Sequence, residues 1–153
     1  MKRSDVETAM GTFRFSVENK ELISIEFIEG EMKFFDNDPT IERAVEQLSE
    51  YMNGERETFD LPLAPTGTDF QKKVWNELMN IPFGTTISYL ELAKRLGDEK
   101  VIRAAASANG RNPIPIIIPC HRIVAKQSIG GYEGATDGHR LGRKQWLLKH
   151  EKS

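Results

Sequence analysis

The chain has one cysteine, Cys120, directly before His121 and Arg122. A thiol attacks carbon as the thiolate, and cationic or polar neighbours lower its pKa from about 8.5. Those neighbours therefore make Cys120 a candidate nucleophile. Adjacent residues on a helix or strand point in different directions, so His121 would act on its neighbour through a bridging water. The competing reading is that Cys120 is a small apolar filler, as free cysteines often are. A single cysteine excludes an internal disulfide framework and argues against a cysteine-based zinc site. Arg103 opens an alanine-rich stretch whose small side chains allow close approach to another backbone, although they equally suit packing on a neighbouring helix. Tyr89 is either a core aromatic or a hydroxyl in a pocket. Glu151 is either a solvated carboxylate or a partner for histidine. The glycine-rich Ile129-Gly-Gly-Tyr-Glu-Gly134 lacks a phosphate-loop pattern.

These residues need a scaffold. At 153 residues the chain suits one ordinary domain or two small modules, and 39% hydrophobic against 29% charged residues fits a globular protein. No apolar run approaches the roughly 18 residues of a membrane span. The start, Met1-Lys-Arg-Ser-Asp5, lacks an apolar signal core, so the expected address is the cytoplasm. The net charge of −2 conceals a split: residues 1–65 carry 7 basic and 15 acidic side chains, residues 66–153 carry 14 and 8. The C-terminal part is thus the candidate for a polyanionic partner.

Phe13, Phe15 and Val17 alternate with polar residues, and Ile23, Ile25 and Phe27 share one parity, which predicts two strands around a turn at Asn19-Lys20. After Pro39 the spacing of Ile41, Val45, Leu48 and Met52 predicts a helix ending at Asn53-Gly54. Two prolines and a glycine within residues 61–67 mark a boundary. Beyond it Asp69 is expected to cap a helix with a stripe of Phe70, Val74, Trp75, Leu78 and Met79. Ser88 caps the next, which ends at Gly97. Asp98 and Glu99 open another reaching Asn109-Gly110, the pattern of a helix-turn-helix. The prolines of residues 111–122 forbid a regular helix, and the isoleucines there must be buried. A last helix holds Trp146, Leu147 and Leu148. The expected class is α+β: a small strand-rich N-terminal domain, residues 1–65, and a mostly helical domain with a helix-turn-helix, residues 66–153.

Pro119-Cys-His-Arg-Ile-Val124, the preceding Asn112-Pro113, Ile81-Pro-Phe-Gly-Thr-Thr-Ile-Ser-Tyr89 and Trp146-Leu-Leu-Lys-His-Glu151, in that order, resemble the O6-alkylguanine-DNA alkyltransferases. The likeness covers residues 68–151 and rests on specific motifs; residues 1–60 match only in layout. The resemblance implies a stoichiometric repair reaction, moving an alkyl group from guanine O6, and from thymine O4, to Cys120 and inactivating the protein. It assigns His121 as a base acting through water, Glu151 as the group that orients it, and Asn112 as a brace for the turn. Tyr89 would donate toward guanine N3, the carbonyls of Cys120 and Ile123 would accept from the exocyclic amine, and the Tyr132-Glu133 loop would donate toward O6. Arg103 would fill the gap left by a flipped nucleotide, with Ala104, Ser107 and Arg122 among the DNA-contacting residues. Expected partners are duplex DNA carrying O6-alkylguanine, with no cofactor, no metal, no membrane, and the protein as a monomer. Residues 133–143 form a longer connection than is usual in the family, which affects the pocket lid. The N-terminal part, lacking cysteine, offers neither a zinc site nor a phosphotriester-accepting thiol. A lesion sensor without a nucleophile, a sequence-specific regulator and a multiple-turnover thiol hydrolase are the competing classes; Cys120 argues against the sensor.

Overall fold

A computed structural model describes residues 1–125 and 138–152 of the chain. They divide into two compact units, Met1–Thr66 and Gly67–Ser153.

The first unit is a three-stranded antiparallel sheet of β1 (Lys2–Thr8), β2 (Gly11–Glu18) and β3 (Glu21–Phe27), with helix α1 (Pro39–Met52) packed on it. Asn19 and Lys20 both have positive φ, 52° and 67°. That is the turn geometry matching the twist of a two-residue hairpin. The expected parity of β3 is corrected. Leu22 and Ile25 are buried whereas Ile23 is only half-buried, because the register shifts so that Ser16 faces Ser24 but Val17 faces Leu22. Ile23 is the extra residue of a bulge, and beyond it the inward face changes parity. The stripe of α1 is Ile41, Ala44, Leu48 and Tyr51, one position from the expected Val45 and Met52, which flank it. Asp38 caps this helix through Thr40 N–H and Ile41 N–H.

Sheet edges invite unwanted pairing unless they are covered. Here Ala64 N–H donates to the Leu22 carbonyl and Leu22 N–H to Pro62, covering β3 with part of the proline-rich segment. Along β1, Asp5 accepts from Arg14 Nε at 2.8 Å, Lys33 N–H at 2.7 Å and Phe34 N–H at 3.2 Å, fastening residues 33–34 to the edge. The Arg14 guanidinium holds the Asp5 carboxyl at about 2, against the ordinary 3.8. Its stabilisation is complete above pH 3.8 and disappears as pH falls through 2. Asp5→Asn should therefore lower stability by about 1–2 kcal/mol at neutral pH, the gap to wild type closing near pH 2; urea midpoints at both pH values check this.

The second unit starts with helix α2 (Asp69–Leu78), where Thr68, rather than Asp69, is the cap. Thr68 Oγ1 accepts from Gln71 N–H and Gln71 Oε1 from Thr68 N–H, a reciprocal pair that fixes the start. Val74, Trp75 and Leu78 face inward, while Met79 lies at the exposed end. Trp75 Nε1 donates to the Ala108 carbonyl at 2.9 Å. A Cβ at Gly67 would come within 2.5 Å of the Trp75 ring, so only glycine fits there. Ser88 caps α3 (Tyr89–Arg95) through Glu91 N–H, and Gly97 turns the chain with φ 98°. Asp98 then caps a 3-10 turn leading into α4 (Ile102–Gly110). Helices α3 and α4 pack together as the helix-turn-helix. A short parallel pair, β4 (Ile87–Ser88) with β5 (Ile123–Val124), and helix α5 (Gly138–Lys152) complete the unit. No helix among the described residues is long and apolar enough to cross a membrane.

Candidate active site

Residues 112–119 form a pedestal without helix or strand. Asn112 sews its turn together, its Oδ1 accepting from Ile114 N–H at 2.9 Å and its Nδ2 donating to the Ile118 carbonyl at 2.7 Å. Ile114, Ile116, Ile117 and Ile118 are buried, and Ile116 is held at φ 74°. That conformation is strained for a β-branched residue and persists only where its surroundings enforce it. Pro119, at φ −82° and ψ 64°, makes an inverse γ-turn closed by Cys120 N–H on the Ile118 carbonyl at 2.8 Å. A single 3-10 turn, Cys120–Arg122, follows at once. It brings Cys120, 1% exposed, and His121, 0% exposed, into the interior.

Glu151, 30 residues further along, is the anchor of the site. Its Oε2 accepts from His121 Nε2 at 2.7 Å and Arg122 Nη2 at 2.9 Å, its Oε1 from Arg122 Nε at 2.8 Å. Gly84 N–H, at 3.4 Å, and the Ile81 carbonyl, which takes Arg122 Nη1 at 2.6 Å, tie in the segment after α2. Burial holds the His121 pKa below 6.5, against the upward pull of Glu151, while Arg122 and Lys144 add to the fall. The imidazole is neutral at pH 7. A carboxylate accepts and never donates, so the ring proton sits on Nε2 and the lone pair on Nδ1. Among the described residues Nδ1 has no hydrogen-bond partner.

The other expected residues fall into groups. Tyr89 is half-buried and directly follows β4, which lies beside β5 after the nucleophile turn. Arg103, Ala104 and Ser107 share the exposed face of α4, and Ala105 and Ala108 its buried face. Ile123 is buried. Arg122 corrects the expectation of a DNA contact: it is 6% exposed and its guanidinium is engaged by Glu151 and Ile81. Tyr132 and Glu133, with residues 134–137 of the expected long connection, lie outside the described residues; its remainder, from Gly138 on, is not connection but the start of α5.

Two site residues escape sequence reasoning. Lys144 is fully buried and donates to the Ile123 carbonyl at 2.6 Å. Burial pushes its pKa from 10.5 down to about 8, with the charge of Cys120 opposing the fall. The available signal was its spacing: Lys144 shares the inward face of α5 with Leu147, Leu148 and Glu151. Asn109, in register with Ala105 on the buried face of α4, donates Nδ2 to the Cys120 carbonyl at 3.3 Å.

Fold and site together define a helix-turn-helix domain built around a buried thiol and its histidine–carboxylate support. Residues 69–153 match the family model described as 6-O-methylguanine DNA methyltransferase, DNA binding domain, and residues 1–65 the ribonuclease-like domain of the same family. The chain belongs to the 6-O-methylguanine DNA methyltransferase family. A methylated-DNA–protein-cysteine methyltransferase of Methanosarcina barkeri is 38% identical over 97% of this chain and 95% of the relative. The O6-methylguanine methyltransferase of Mycobacterium tuberculosis superposes with a TM-score of 0.86 at 33% identity, over 99% of this chain and 92% of that one. The same organism's protein solved in complex with DNA gives 0.83 at 36% identity, over 97% and 91%.

Proposed function

We propose that the protein repairs duplex DNA by moving an alkyl group from O6 of guanine, and from O4 of thymine, to Cys120 Sγ, once per molecule. The observation that carries this reading is the buried Cys120 beside an imidazole whose basic Nδ1 is fixed by the Nε2–H bond to Glu151. His121 takes the thiol proton through a water molecule, and Glu151 stabilises the imidazolium that forms. The Lys144 cation favours the resulting thiolate, as the mutual influence of the two groups indicates. Sγ then attacks the alkyl carbon in line, an S–C bond forms, and the C–O bond breaks with its electrons on the base. Tyr89 donates toward N3 and the Tyr132-Glu133 loop toward O6, meeting the charge on the departing guanine. The carbonyls of Cys120 and Ile123 receive its exocyclic amine.

A base inside a duplex is out of reach of such a site, so the nucleotide is flipped out, with unstacking costing a few kcal/mol. The exposed face of α4, bearing Ala104 and Ser107, enters the minor groove while Arg103 fills the vacated stack. The positive charge of residues 66–153 supports phosphate contacts indifferent to sequence. In this reading residues 66–153 bind DNA and carry out transfer, and residues 1–65 support them. The protein acts as a monomer without cofactor, in the cytoplasm, where a lone thiol stays reduced.

Incubation with a duplex containing one O6-methylguanine should add about 14 Da to Cys120 and saturate at one equivalent, by intact-mass measurement and peptide mapping. Tight binding to the lesion with no mass gain would overturn alkyl transfer, and repeated turnover would overturn its stoichiometric form.

A further inference from the structure

The two carbonyls assigned to the guanine amine already carry donors in the free protein. The Cys120 carbonyl accepts from Ile123 N–H, which closes the 3-10 turn, and from Asn109 Nδ2 at 3.3 Å. A carbonyl oxygen offers two lone pairs, so both are engaged. The Ile123 carbonyl accepts from Lys144 Nζ. Of these bonds the Asn109 one is at the long end; the Asn112 amide, by comparison, meets its carbonyl at 2.7 Å. The orientation of Asn109 follows from chemistry, because exchanging its amide atoms would set one oxygen against another. Its Oδ1, in a residue only 4% exposed, has no hydrogen-bond partner among the described residues. A buried amide left half-satisfied is unfavourable, so general polar satisfaction does not account for Asn109 at this position. What it supplies is a donor on the Cys120 carbonyl.

We propose that Asn109 sets the lesion range of the site by standing in for the guanine 2-amino group on the Cys120 carbonyl. A flipped base that carries the amine displaces a weak bond. With a base that lacks it, such as hypoxanthine or thymine, Asn109 stays in place and the buried carbonyl keeps its second donor. Sites built to hydrogen-bond an N–H reject analogues without it by about 10⁴–10⁵-fold, because a buried acceptor is stranded. Asn109 removes most of that penalty, so the protein tolerates loss of the amine. The proposal rests on the reading that this carbonyl receives the amine during alkyl transfer.

The test compares single-turnover methyl transfer to Cys120 from two duplexes of one sequence, containing O6-methylguanine or O6-methylhypoxanthine. The full-length wild type is compared with Asn109→Leu, similar in volume without a donor, and Asn109→Ala. Wild type should prefer guanine by less than about tenfold, and the variants by about 10²-fold or more, the hypoxanthine lesion losing far more than the guanine one. An unchanged ratio in folded variants, or equal losses on both lesions, overturns the proposal. A purely structural Asn109 would give equal losses. Should neither variant fold, wild type decides: a preference below about tenfold supports the proposal, and a larger one overturns it. A ratio that shifts only with the variants cannot arise from failed transfer. Absence of methyl transfer from both duplexes in wild type marks failure of the underlying reading instead, and the proposal falls with it.

Discussion

Glu151→Gln should slow methyl transfer by about 10²–10⁴-fold, the range that general acid–base catalysis contributes. A glutamine keeps the shape of the side chain but replaces one accepting oxygen with an amide that donates. Glu151 meets donors at both oxygens: Arg122 Nε at Oε1, and Arg122 Nη2 with His121 Nε2 at Oε2. Whichever way the amide turns, a donor faces a donor. If it faces His121, the ring must move its proton to Nδ1, the position that has to be vacant to receive one. If it faces Arg122, the buried guanidinium loses half of its paired contact. Removing one partner of a buried ion pair costs about 3–5 kcal/mol, so the variant should also unfold at lower denaturant concentration. Stopped transfer assays and urea melts read the two effects separately. An unchanged transfer rate would remove Glu151 from the mechanism.

Cys120→Ala should abolish transfer altogether while leaving affinity for duplex DNA within about threefold of wild type, since the backbone carbonyl at position 120 is kept and the other proposed binding groups are elsewhere. The exchange removes one sulfur from a buried turn held by its backbone, through Cys120 N–H on Ile118 and the bonds to its carbonyl. The fold therefore survives. Gel retardation with a lesion-bearing duplex, beside mass analysis of the protein, checks both halves. Any residual alkylation of the variant would mean that another residue is the nucleophile.

Cys120 and His121 were legible in the sequence as candidates because the two are adjacent in the chain. The brace at Asn112 was legible only through family likeness, and Glu151 likewise, since 30 residues separate it from His121. Arg122 was misread. The resemblance set it among the DNA-contacting residues, yet the 3-10 turn carries it to Glu151. Lys144 and Asn109 were missed because sequence patterns mark apolar positions, and both occupy such positions with polar groups that donate to carbonyls distant in the chain. In the N-terminal unit, β1 has only Val6 to suggest a strand; pairing with β2 and the buried Asp5 hold it. The bulge at Ile23 changes the parity of β3 for a reason that lies in the register with β2. Local signals succeeded elsewhere: the Asn19-Lys20 turn, the Ser88 cap and the Gly97 turn depend on nearby backbone alone.

The burial of Cys120 also governs its fate under oxidative stress. Peroxides convert exposed thiolates to sulfenic and then to irreversibly oxidised acids, and susceptibility follows access as much as thiolate character. A protein inactivated by every productive event has no reserve against unproductive ones. With Cys120 only 1% exposed, the thiol is shielded from bulk oxidants, and that shielding lowers the rate at which molecules are lost before they meet a lesion.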